Sequence, residues 1–109
     1  MALTIWHNPR CAKSRETLAL LTGRGLTPAI RLYLQDPPTL AELRAALAKL
    51  GQPAAALMRC KDSPLAPDAT EDDILAALVA DPRLIERPLV LTDTAAALGR
   101  PPEAVLAIL

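Results

Sequence analysis

Apolar and polar positions along the 109-residue chain change period several times, and each change marks an expected element. Residues 2 to 6, "ALTIW", alternate loosely and stop at the turn-prone Asn8-Pro9, which predicts a short buried strand. From Lys13 to about Arg24, good helix formers carry an apolar stripe through Leu18 and Leu21, with Gly23 and Gly25 as stop signals. Residues 29 to 34, "AIRLYL", predict a second strand closed by Asp36-Pro37-Pro38, because consecutive prolines cannot continue a hydrogen-bonded ladder. Thr39 and Glu42 have capping-box spacing, and Leu40, Leu43, Leu47 and Leu50 follow at helical intervals until Gly51. Pro53 to Met58 suggests a short helix. Thr70 then caps "EDDILAALVA", whose acidic first turn suits the positive end of a helix, and Pro82 ends it. Residues 88 to 92 predict a strand that 95 to 98 rejoins antiparallel across an Asp93-Thr94 turn without glycine. Pro102 can open a C-terminal helix through "EAVLAIL".

The resulting order is β-α-β, a helical middle over about 39–82, then β-β-α. Without that insertion it is the connectivity of a thioredoxin-like α/β domain, with a mixed central sheet flanked by helices. A chain of this length and 51% hydrophobic content supports one core, so 1–109 is expected to be a single domain. Trp6 and Tyr33 are the only aromatic residues, leaving the core to Leu, Ala, Ile and Val, and residues 61–70 are the expected mobile loop. A formal net charge of zero argues against nucleic-acid or anionic-membrane partners. No run approaches the roughly 20 apolar residues of a membrane span, and "MALTIW" lacks the pattern of a signal peptide, so the expected compartment is cytoplasmic. In a reducing compartment the two cysteines read as free thiols or a transient catalytic pair.

Candidate chemistry sits in "HNPRCAKSR", residues 7–15. A cysteine just before a helix lies near unpaired backbone N–H groups and the positive end of the dipole, which favour thiolate over thiol. Arg10, Lys13, Arg15 and His7 can add to this only where their side chains point inward. Ser14 completes a C-x-x-S spacing, which cannot form a local disulfide and is compatible with a single nucleophilic cysteine.

With "HNPRCAKSRETLALL", "LYLQDPP", "LMRCK", "LIERPLVL" and "GRPPEAVLAIL" in this order, the chain resembles the glutaredoxin-dependent arsenate reductases, in particular their short bacterial members. The resemblance implies a thioredoxin-like fold and Cys11 as nucleophile. His7 and Ser14 would tune its thiolate, Asn8 would help fix the loop, and Arg59, Arg87 and Arg100 would bind the oxyanion. It also implies a cis Arg87–Pro88 peptide, glutathione as co-substrate, glutaredoxin as partner, arsenate as the small oxyanion, and no metal or bound cofactor. The sequence sets no oligomeric state. Compared with the family, the segment after Arg59 is shorter and broken by proline, and the glycine-free hairpin turn predicts weak pairing of the last two strands. Cys60 reads as a packing residue, with a resolving thiol as the alternative. Two other functions share the pattern: a redox-sensing regulator that binds RNA polymerase, and a glutathione-linked thiol transferase without arsenate activity.

Overall fold

The computed structural model describes residues 2–59 and 69–109, so Cys60 and most of the expected 61–70 loop lie outside the described residues. Strand β1 (Thr4–Trp6) pairs in parallel with β2 (Ala29–Arg31) and antiparallel with β3 (Leu89–Leu91), which in turn pairs antiparallel with β4 (Ala96–Leu98). The sheet order is β2-β1-β3-β4. This is the mixed sheet expected from the element order, flanked by α1 (Ala12–Gly23), α2 (Leu40–Leu50), α3 (Glu71–Ala80) and a C-terminal 3-10 helix (Pro102–Ile108).

Strand alternation assigns the two faces of the sheet. Ile5 and its cross-strand partner Val90 point one way, into a core completed by Leu21 of α1 and Val105 of the terminal helix. Trp6 and its partner Leu89 point the other way, against Leu43 and Leu47 of α2 and Leu75 and Leu78 of α3. The sheet is therefore the middle of three layers.

Helix boundaries follow local chemistry. Thr39 and Glu42 form the predicted capping box, and Gly51 closes α2 in the left-handed conformation at φ 69°. Thr70 and Asp73 form a second capping box on α3. Residues Ala54–Leu57 are a 3-10 turn, and another, Pro82–Leu84, follows α3 with Asp81 as its cap. The segments after these two turns meet: Met58 bridges Ile85, Arg59 N–H donates to Leu84 at 2.9 Å, and Glu86 N–H donates to Leu57 at 2.6 Å. That meeting brings Arg59 toward the start of β3.

Several expectations need correction. β2 ends at Arg31 rather than residue 34, because the amides of Gln35 and Asp36 both fold back onto the Leu32 carbonyl. The turn leaves Leu34 exposed and puts Tyr33, only 1% accessible, into the core. Leu18 and Leu21 of α1 both pack on the core, Leu18 half-buried, but Ser14 and Thr17 are fully buried beside Leu21, so the inward face is partly polar. The C-terminal helix is 3-10 instead of α.

The glycine-free hairpin also pairs in full register. Thr92 supplies what glycine would have provided: its amide donates to the Ala95 carbonyl at 2.8 Å, and its hydroxyl accepts from the Ala95 amide at 3.0 Å.

Candidate active site

The loop from His7 to Cys11 leaves the C-terminal end of β1 and feeds α1. Asn8 organises it: its carbonyl accepts from the Cys11 amide at 3.0 Å, its side-chain oxygen from the Arg10 amide at 3.0 Å, and its own amide donates to Ser14 Oγ at 3.0 Å. Cys11 is thereby fixed as the N-cap residue of α1, half-buried with a free thiol. Burial pushes this thiol up, but the Ser14 and Lys13 backbone amides and the Arg87 guanidinium together outweigh it, leaving its pKa below the ordinary 9.0.

The nearby cations are occupied elsewhere. Lys13 pairs with Glu16 at 3.4 Å, and Arg15 donates to the Pro9 carbonyl at 2.9 Å. Charge reaches the sulfur instead from the far end of the chain. The Arg87 guanidinium acts on it and lowers its pKa, and Arg100 Nη2 lies 3.8 Å away. Arg87 is placed by the turn into β3, behind a cis bond to Pro88 that matches the expectation. Arg100 follows Gly99, where close packing admits no side chain: an added Cβ would lie 2.4 Å from Thr17 Oγ1 and 2.7 Å from Pro88 Cγ. Arg100 Nε then donates to the Arg87 carbonyl at 2.8 Å and pairs with Glu86 Oε1 at 2.9 Å.

The remaining expected residues fall into two groups. Ser14 is fully buried with its Oγ 2.6 Å from His7 Nδ1, and it also accepts from Asn8, so its own hydrogen suits an unprotonated Nδ1. Burial first, then the Arg15 charge, lower the His7 pKa, keeping the imidazole neutral near pH 7. His7 and Ser14 thus lock together beneath the loop, and Ser14 bears on the sulfur through its backbone amide. Arg59 comes to the side of the site where its charge acts on Tyr33. Burial raises the Tyr33 pKa, while Arg87, the Asn8 side chain and Arg59 lower it. Arg87 and Arg100 both act at the sulfur, and the charge of Arg59 acts on Tyr33.

Three neighbours were missed from the sequence. Tyr33 stood out only as a rare aromatic, Gly99 only as part of a motif, and Glu86 only as the residue before Arg87. The inward turn after β2 and the Glu86–Arg100 pair both depend on contacts between segments far apart in sequence.

Such an arrangement can present an ionised sulfur and convergent guanidinium donors to a small anion. Among the described residues no helix is long and apolar enough to cross a membrane. A curated arsenate reductase of Haemophilus influenzae is 42% identical, with all of both chains covered. The uncharacterized protein YfgD of Escherichia coli K12 is 46% identical over 95% of this chain and 93% of its own. A solved arsenate reductase structure from Vibrio cholerae superposes with a TM-score of 0.92 at 42% identity, covering 100% of this chain and 98% of that one, and shares the thioredoxin-like fold. With the ArsC family model matching residues 6–108 as well, the chain belongs to the ArsC family.

Proposed function

We propose that the protein is an arsenate reductase in which Cys11 is the nucleophile and Arg87 and Arg100, joined by Arg59, bind the oxyanion. The observation that carries this reading is the convergence of Arg87 and Arg100 on the Cys11 sulfur, Arg100 from 3.8 Å. The names of the relatives with which it shares its full length support arsenate as the oxyanion.

The Cys11 thiolate attacks arsenic(V), forming a sulfur–arsenic bond while one arsenate oxygen leaves with two protons as water. The guanidinium groups offset the charge on the remaining oxygens as it develops. Glutathione thiolate then attacks the Cys11 sulfur. A disulfide forms, the sulfur–arsenic electron pair stays on arsenic, and arsenite departs as arsenic(III). Glutaredoxin reduces the Cys11–glutathione disulfide and restores the thiol. Cys11 alone carries the covalent chemistry, consistent with Ser14 being buried and bonded to His7. His7, Asn8 and Ser14 hold the loop that keeps the sulfur at the helix mouth.

The test is NADPH-coupled turnover of arsenate with glutathione and glutaredoxin, with Cys11→Ser expected to be inactive. Equal rates in the two proteins would end the proposal. The same assay with a glutathione mixed disulfide replacing arsenate separates a thiol transferase, which does not need guanidinium groups arranged for an oxyanion.

A further inference from the structure

A carboxylate is paired with one of the arginines of the proposed anion pocket. Glu86 Oε1 pairs with Arg100 Nε at 2.9 Å and accepts the Arg87 backbone N–H at 3.3 Å, while the Glu86 amide is held by the Leu57 carbonyl at 2.6 Å. The Glu86 side chain is 22% accessible and that of Arg100 37%, so solvent screens the pair only in part. The Nη2 of the same guanidinium lies 3.8 Å from the Cys11 sulfur. An arginine already matched by a carboxylate contributes a dipole, whose field falls off faster than that of a free charge.

We propose that Glu86 determines the anion selectivity of this pocket: it aims Arg100 at the sulfur and cancels most of its charge, so bare inorganic dianions are held weakly. Glu86 contacts Arg87 on its own segment and Arg100 from the segment after β4, and Arg100 in turn reaches Cys11 at the mouth of α1. The charges of Arg87 and Arg59 also act on Tyr33. An anion that carries a proton can donate it to a carboxylate, whereas sulfate has none to offer near neutral pH. A pocket built this way favours protonated tetrahedral oxyanions, the class to which arsenate belongs, over sulfate. The inference rests on the reading of Cys11, Arg87 and Arg100 as an anion site.

The probe is inorganic sulfate, with binding read from protection of Cys11 against iodoacetamide in the intact chain. Glu86→Gln keeps the size of the side chain and a polar oxygen beside Arg100 while removing the charge. Sulfate protection should tighten roughly 3- to 10-fold, and the midpoint of Cys11 alkylation against pH should fall by a few tenths of a unit. Both effects should vanish in an Arg100→Gln background, because they act through that guanidinium. An unchanged midpoint with unchanged protection overturns the proposal. So does weaker protection with a raised midpoint, the signature of a residue that only aims Arg100. If sulfate protects neither the unaltered chain nor Glu86→Gln, the anion-site reading fails, while the midpoint, which needs no anion, still decides the role of Glu86.

Discussion

The pKa of Cys11 is lowered by backbone amides and by a guanidinium 76 positions away in the chain rather than by the basic side chains beside it. Its alkylation by iodoacetamide should therefore titrate below 9.0, and Arg87→Ala should raise that midpoint. Arg10→Ala should leave it nearly unchanged; an equal shift in both variants would contradict the assignment. Ser14 separates two roles within one residue. Ser14→Ala keeps the amide that faces the sulfur but leaves the buried His7 ring without its partner. The variant should lose about 1–3 kcal/mol of stability in urea unfolding, with little change in the alkylation midpoint. Cys11, His7, Ser14 and Asn8 were legible as a group in the sequence because they fall within eight consecutive residues at a strand-to-helix junction. Their division of labour was not, since it depends on which side chains are buried.

At the scale of elements, short-range chemistry was the most readable. Both helix caps formed where Thr39 and Thr70 marked them, because a cap involves only the first turn of its own helix. The β3–β4 turn was misjudged from its lack of glycine. Thr92 compensates through its hydroxyl, so Thr92→Val should cost about 1 kcal/mol in thermal or urea unfolding, whereas a turn indifferent to the hydroxyl would show no loss. Gly99 is the opposite case, a residue needed for space. Gly99→Ala must displace Thr17 or Pro88, and with them the segment that carries Arg100. We expect both reduced stability and weaker anion protection of Cys11; a loss of stability alone would mean that Arg100 keeps its position independently.

At the scale of the whole molecule, α2 is tied to the edge of the sheet by Arg31. Its guanidinium reaches Glu42 with two donors, bonds the Asp36 and Pro37 carbonyls, and lies 5.9 Å from the Trp6 ring centre. Arg31 holds the Glu42 carboxyl at about 2, against an ordinary 4.5. A carboxyl more acidic in the folded state stabilises the fold above its unfolded pKa, and that stabilisation is lost as pH falls from about 4.5 toward about 2. The Glu42 side chain is 42% accessible, so screening reduces the effect. Unfolding in urea across this range should show a steeper acid loss for the unaltered chain than for Glu42→Gln, and parallel curves would refute the coupling. Element order, helix caps and the thiol loop follow from the sequence by itself, because each depends on neighbours a few residues apart whose spacing fixes their geometry. Tertiary structure alone decided that β2 stops early to turn Tyr33 inward, that Arg87 and Arg100 meet at one sulfur, and that Glu86 stands between them. Those outcomes depend on how the two faces of a short sheet are covered, and packing between distant segments leaves no local period in the chain.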